Sequence, residues 1–392
     1  MPLRTRSEEM FSLKDLKLVY AWCCHLRKDY SHNNDIWDLR RHWATIEHPF
    51  LTQMNAGTYI FGALDVYVHD DVSIYLWSSL DMIALKLITN ALYQHIKIPT
   101  SCYHTKGNGG LKKAVQKTSK NLMDYTHVFR SDVKSFYESI NFDVLMAIVE
   151  SYVKDPVLLT LLRKALERTE NSGGNFTFYD TKSIPMGSPL SPLLGAIMLM
   201  PLDHAMGNIK DIFYARYMDD WVVLTKSKTQ LRKVIKKTHT IMKVLKLSLH
   251  PTKTYIGKIS SGFNFLGYYM DGSKILPSTE TIRRMTERAA ALYEREVQNK
   301  GKGQKKRRYR SPHKRDTSKY YVNEPPPKDL EGVEKLTTII QKCQNNPKLC
   351  VSLRRYLSKW IRWLTLGLGE CKAFLEKCCS IFLPNLISIN IL

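Results

Sequence analysis

The sequence predicts an α+β protein organised around a split βαβ sheet. Two observations predict it. From His127 to Tyr269, β-rich and helical runs follow one another as strand, helix, strand, strand, helix, strand, the order of a ferredoxin-like sheet. Helical patterns flank that stretch, with apolar residues at helical spacing in Phe11 to Arg27 and Leu80 to Ile96 before it, and a charged helix from Thr279 to Lys300 after it.

In chain order, the helix from Phe11 to Arg27 is followed by two short strands, Tyr59 to Val68 and Ser73 to Leu76, joined by an Asp70-Asp71 turn. Leu80 to Ile96 is helical, with Met82, Leu85, Leu87, Ile88 and Leu92 on its apolar side. Thr105 to Gly110 is a Gly-rich loop, and Leu111 to Asn121 a basic helix. His127 to Val133 is a strand that carries Asp132 near its end. Phe142 to Leu166 reads as helix, Asn171 to Phe178 as a Gly-interrupted hairpin, and Pro189 to Met206 as an apolar helix with small residues. Ile212 to Thr225 forms two strands around Met218-Asp219-Asp220. Leu231 to Leu245 is amphipathic, and Tyr255 to Tyr269 supplies two more strands. After the charged helix comes a basic, Pro-containing linker, residues 301–328, and then further helix from Glu331 to Phe382.

Of the 392 residues 44% are apolar, which implies a globular chain of two or three domains rather than a disordered one. Lys and Arg number 59 against 36 Asp and Glu, a formal charge of +23. That surplus implies an anionic partner, of which nucleic acid is the commonest. Between Lys302 and Arg315 the linker holds eight Lys or Arg. Lys305, Lys306, Arg307, Arg308 and Arg310 among them are candidates for a nucleic-acid clamp; the bland reading is a solvated tail. The start, Met1 to Glu9, has no apolar core of a signal peptide. The apolar end, Ile381 to Leu392, is too short for a bilayer and is interrupted by Pro384 and Asn385. The expectation is a cytoplasmic protein with no membrane partner. The eight cysteines include no CxxC spacing, so reduced thiols are expected rather than zinc or disulfides.

The chemistry concentrates on three acids. Tyr217-Met218-Asp219-Asp220 lies between two β-rich runs, and adjacent acids there are costly if buried unpaired. A tight hairpin turn would lift them towards a cation. An Asp pair alone is weak evidence, and Asp70-Asp71 is read as an ordinary exposed turn. Asp132 strengthens the case, because a split βαβ sheet brings the end of its first strand beside the hairpin of its next two. Two divalent ions about 4 Å apart need such converging carboxylates. The competing role for Asp132 is to cap the following helix.

Five segments in order resemble the motifs of reverse transcriptases: Phe129-Arg130-Ser131-Asp132 through Ile140; Ile184 to Pro192; the YxDD box Tyr217 to Asp220; His250-Pro251-Thr252-Lys253-Thr254; and Phe263 to Tyr268. The resemblance is to the bacterial family, most of all to group II intron-type and defence-associated enzymes. Asp35 to Arg40 with His42-Trp43, then Gly57 to Phe61, resemble their N-terminal region, and Tyr356 to Trp363 resembles their thumb. It implies a right-hand polymerase fold: N-terminal region and fingers in 1–124, a ferredoxin-like palm carrying the YMDD hairpin in 125–275 with fingers elements near 150–190, and a helical thumb with C-terminal helices in 276–392.

The implied activity is RNA-directed DNA polymerase, a nucleotidyltransferase making cDNA from dNTPs on an RNA template or an associated non-coding RNA in anti-phage defence. The implied cofactor is two Mg²⁺, with Mn²⁺ as a substitute, on Asp132, Asp219, Asp220 and the Val133 carbonyl. Tyr137 would lie under the sugar, with core packing as its bland role. Met186, Gly187 and Ser188 would wall the nucleotide pocket, and Lys253 would bind or protonate pyrophosphate. Phe265, Leu266 and Gly267 would form the primer grip. A homo-oligomer or a second defence protein are further implied partners. The chain departs from the family at Met186, where Gln is usual, and at Leu80, where an Arg often holds the triphosphate. Lys86, Lys106 and Lys112 are candidates to replace that Arg, each with a solvated helix or loop residue as its bland reading. These departures keep a template-independent or protein-templated polymerase open, and a maturase-like RNA-binding protein with incidental activity is the alternative from another class. No endonuclease, RNase H or integrase motif is evident.

Overall fold

The computed structural model describes residues 9–69, 72–179, 184, 187–301, 353, 355, 356, 359 and 360. Packing divides the chain into two units. One comprises Met1–Thr105, Val133–Ala205 and Thr238–Ser248; the other Lys106–Asp132, Met206–Lys237 and Leu249–Leu392. The predicted Asp70-Asp71 turn, the basic segment from Lys302 to Arg315 and most of the C-terminal helical stretch lie outside the described residues.

The first unit opens with helices α1 (Leu13–Leu26), α2 (Asp35–Arg41) and α3 (Trp43–Ala56). The Ser12 and Asn34 side chains accept backbone N–H bonds at the starts of α1 and α2, the usual work of an N-cap. Strands β1 (Leu64–His69) and β2 (Val72–Leu76) form a hairpin, and α4 (Ser79–His95) follows. β1 starts later than predicted. Tyr59 Oη donates to buried Asp81 at 2.8 Å, and the Tyr59, Phe61 and Trp77 rings meet edge to face. Those interactions tie Tyr59 and Phe61 to their neighbours while Ile60, Gly62 and Ala63 stay exposed, and the ladder begins only at Leu64. Helix α4 is largely buried, with Ile83, Ala84, Ile88 and Leu92 fully enclosed.

In chain order, the second unit then contributes α5 (Gly110–Asn121) and β3 (His127–Asp132) before the chain returns to the first with α6 (Phe136–Ser139), α7 (Phe142–Tyr152) and α8 (Pro156–Leu166). The single helix predicted over Phe142 to Leu166 is therefore two. Pro156 disfavours helical geometry in the residue before it, and Asp155 instead caps α8, accepting from Val157 and Leu158 N–H at 2.9 and 3.0 Å. The hairpin β4 (Arg168–Ser172) and β5 (Asn175–Tyr179) turns on Gly173-Gly174, both with positive φ, as a two-residue hairpin prefers. These strands complete a sheet of order β2-β1-β4-β5 in which β1 and β4 run parallel. Helices α9 (Ser191–Met198) and α10 (Met200–Gly207) replace the one predicted from Pro189 to Met206. Pro201 has no N–H to donate and its ring excludes the carbonyl four residues back, so the helix breaks at Leu199.

The second unit's main sheet consists of β3, β6 (Ile212–Tyr217), β7 (Asp220–Thr225) and β8 (Tyr255–Lys258), with α11 (Lys228–Val244) leading from β7 towards β8. Its order is β6-β7-β3-β8 with every neighbour antiparallel. That is the arrangement a strand-helix-strand-strand-helix-strand chain produces. β7 is buried along its whole length. A smaller sheet, β11 (Ile275–Pro277), β10 (Tyr268–Met270) and β9 (Phe263–Phe265), precedes α12 (Thr279–Gly301). Among the described residues no helix is long and apolar enough to cross a membrane.

Candidate active site

The site is built on the central strands of the second unit. β3 and β7 pair so that Asp132 stands directly opposite Asp220. On one face of an antiparallel pair, opposed side chains lie about 4.5–5.5 Å apart at Cβ, and like charges there repel. The β6–β7 hairpin turns at Met218-Asp219, since Tyr217 pairs with Asp220. Met218 takes the left-handed φ of 58° that glycine usually supplies, and the Arg216 guanidinium steadies the turn by donating to the Met218 carbonyl at 2.8 Å. The turn thus holds Asp219 beside the two opposed acids.

Two buried cations offset the repulsion. Arg130 Nε and Nη2 donate to Asp220 Oδ1 and Oδ2, both at 3.2 Å. Lys253 Nζ donates to Asp132 Oδ2 at 2.9 Å. Arg130 precedes Asp132 by two positions in a strand, so both face the same side. Lys253 is delivered by the short 3₁₀ turn Pro251–Lys253, pinned to β3 by His250 N–H on the Asp132 carbonyl at 2.8 Å and by a Ser131–Thr254 hydroxyl pair at 2.7 Å. Asp132 stays in the ladder, and α6 begins only after Ser135, so the helix-capping role does not apply.

Charge remains in excess. Three carboxylates face two cations, and Asp132 Oδ1 is buried with no hydrogen-bond partner. Loss of hydration and repulsion from Asp132 push the Asp219 carboxyl up to about 7. Burial likewise raises Asp220, with Arg130 opposing. Among the described residues no three His, Cys, Asp or Glu are assembled as a metal-ion cluster; Asp220 and Asp132 are paired with Arg130 and Lys253 instead. The donor set nonetheless fits a hard divalent cation, being all oxygen, net negative and with one oxygen bare.

The other predicted residues fall in separate places. Val133 is buried next to Asp132 in the chain. Tyr137, half-buried in the first unit, packs on the Phe136 ring, and α9 closes over both at Gly195, where an added Cβ would stand 3.0 Å from Phe136 and 3.4 Å from Tyr137. Gly187 has a φ of 85°, and a Cβ there would lie 3.1 Å from the Tyr75 carbonyl. Ser188 Oγ accepts from the N–H groups of Leu190 and Ser191 at 3.2 and 3.1 Å, so it organises the entry to α9. Met186 lies outside the described residues. Phe265 is in the core, while Leu266 and Gly267, both with positive φ, form the β9–β10 turn. The Gly267 carbonyl accepts from Ser278 N–H and from Thr281 Oγ1 at 2.9 and 2.8 Å. Of the three substitute lysines, Lys86 sits over the Trp22 ring, its Nζ 5.3 Å from the centroid. Lys106 is exposed and Lys112 half-buried. Sequence reasoning assigned no role to Arg130; the two-residue strand period from Asp132 was the signal that could have found it.

The chain belongs to the reverse transcriptase (RNA-dependent DNA polymerase) family, whose model matches residues 74–270 and so includes the three acids, Arg130 and Lys253. A Schizosaccharomyces pombe protein described as an uncharacterized 91 kDa protein in cob intron is 24% identical over 252 residues, which cover 48% of this chain and 31% of that protein. The Escherichia coli protein YkfC is 26% identical over 175 residues, covering 36% of this chain and 46% of that one. The chain therefore aligns with less than half the length of these curated relatives. Among solved structures, apo telomerase from Candida tropicalis, truncated from its C-terminal domain, matches with a TM-score of 0.40 and 16% identity over 50% of this chain and 44% of that one.

Proposed function

We propose that the protein is an RNA-directed DNA polymerase that extends a primer with dNTPs, with Asp132, Asp219 and Asp220 as its catalytic acids. The observation that carries this reading is the register of β3 on β7, which opposes Asp132 to Asp220 with Asp219 in the adjoining turn, in a chain of this family. Asp132 and Asp219 would be the main holders of two divalent ions, Mg²⁺ or Mn²⁺, with Asp220 a weaker one because Arg130 engages both its oxygens, and with the Val133 carbonyl as an addition. Such ions, when bound, lower the pKa of the attacking 3′-hydroxyl and offset charge on the leaving pyrophosphate.

The chain's own residues do the rest. Arg130 fixes the Asp220 carboxylate against the sheet. Lys253, held on Asp132, would meet anionic phosphate or supply a proton to it. Tyr137, Gly187 and Ser188, with Met186, form the nucleotide wall, where glycine allows close backbone approach. The Leu266-Gly267 turn presents the primer grip. In this reading residues 1–124 contain the fingers, 125–275 the palm and 276–392 the thumb, and the basic segment around Lys305, Lys306, Arg307, Arg308 and Arg310 grips RNA. An association with a non-coding RNA in phage defence has the resemblance of the N-terminal segment as its support.

Primer extension by the purified chain on an RNA template tests the activity: incorporation of dNTPs should require a divalent ion and should stop on chelation. Extension that continues in excess chelator would remove the metal ions from the reading. The sugar assignment has its own test. Tyr137→Ala should raise the ratio of rNTP to dNTP incorporation, by about tenfold or more if the ring supplies a steric barrier of about 1.4 kcal/mol. An unchanged ratio with normal extension would assign the ring to packing against Phe136 and α9 alone.

A further inference from the structure

Between Asp220 and Asp271 the sequence holds ten Lys or Arg and no acidic residue. Six of the ten lie on α11: Lys228, Arg232, Lys233, Lys236, Lys237 and Lys243, all exposed. The opposite side of the helix is its anchor, since Leu231, Val234, Thr238, Ile241 and Met242 are buried. The outward face is therefore a cationic stripe, about 25 Å long for 17 residues at 1.5 Å each.

This stripe works against the helix that carries it. Lys228 and Arg232, Arg232 and Lys236, and Lys233 and Lys237 are each four residues apart, where like charges destabilise a helix. Lys228 also stands in the first turn, at the positive end of the helix dipole. A surface kept only for solubility needs none of this. Helix α12 shows the alternative: Arg283 pairs with Glu280 at 2.7 Å and with Glu287, and Arg284 pairs with Glu280. On α11, Arg232, Lys233 and Lys237 have no ion pair among the described residues.

We infer that the outward face of α11 docks the phosphate backbone of an RNA duplex, as a surface additional to the catalytic acids. Its composition selects the partner. Protein interfaces centre on apolar and aromatic residues, and this face has no Phe, Tyr or Trp; its one ring is the exposed His239 imidazole, and Val244 is its one exposed large apolar side chain. Single strands are gripped by stacking on aromatics, which argues for a duplex. Rows of cations without base-reading side chains bind phosphates regardless of sequence. RNA is the nucleic acid on which, by its description, this family of polymerases depends. The docking surface does not require polymerase activity.

The test uses the full chain and an RNA duplex of about 20 base pairs, longer than the roughly 16 that a double-stranded-RNA module spans. Binding is followed by fluorescence anisotropy between about 50 and 200 mM salt. Replacing Arg232, Lys233 and Lys237 with Gln should reduce the slope of log K against log salt by about 2 to 3, at about 0.7–0.9 for each phosphate no longer neutralised. The charge-keeping variant with Arg232→Lys, Lys233→Arg and Lys237→Arg should keep the parental slope. Extension of a short pre-annealed primer–template should be unchanged in both. If the triple Gln variant does not fold, Lys237→Gln alone should lower the slope by about 0.7–0.9. An unchanged slope in a folded Gln variant, or an equal loss in the charge-keeping variant, would overturn the inference.

Discussion

Asp219→Asn together with Asp220→Asn should lower primer extension about a thousandfold or more while RNA binding stays within about twofold of the parent. The size follows from the chemistry. Cation stabilisation of transition-state charge contributes several kcal/mol, and each 1.36 kcal/mol is a factor of about ten in rate. Asparagine keeps the shape of the side chain, so the β6–β7 turn should persist, with Arg216 still donating to the Met218 carbonyl. The substitutions remove two of the three charges that repel one another at the strand ends, but Asp220→Asn also leaves the buried Arg130 facing a neutral amide, so the variant should unfold at a lower urea concentration than the parent while remaining folded in its absence. Steady-state extension, filter binding of RNA and urea unfolding check the three parts. Extension at the parental rate would remove these acids from the reaction.

Arg130→Met should destabilise the protein by about 3–5 kcal/mol, the usual cost of removing one partner from a buried ion pair. Both side chains are enclosed, at 2% and 9% exposure, so water cannot replace the guanidinium on Asp220. Asp220→Asn in the Arg130→Met background should recover part of the loss, because the charge left bare is then gone. A double-mutant cycle by urea unfolding gives the coupling directly. Additive effects of the two substitutions would mean that Arg130 acts only as packing.

The parts of this architecture written in local pattern are legible in the sequence. Alternation and turn residues place β3, β6 and β7, and the split βαβ order then brings Asp132 to Asp220. Two helix breaks, at Asp155-Pro156 and Pro201, have local signals, but continuous apolar periodicity runs across both and masks them. Long-range pairings are not legible. Nothing local in Leu64 or Glu170 announces that β1 runs parallel to β4 across more than a hundred residues. Nor does composition reveal that Tyr59 bonds Asp81 and holds the chain out of the strand. In the site, the resemblance supplies Lys253 as a phosphate-facing residue, and the structure adds that it sits on Asp132. Ser188 similarly has a backbone-capping role that a motif match cannot show.

Whether these acids serve templated DNA synthesis on RNA is tested most directly by sequencing DNA made by the purified chain. The template is a defined heteropolymeric RNA with an annealed DNA primer. The expected product is complementary to the RNA, and it is absent when Asp219 and Asp220 are both asparagine. DNA whose sequence is independent of the template, or no DNA from the parent chain with Mg²⁺ or Mn²⁺ present, would contradict that role.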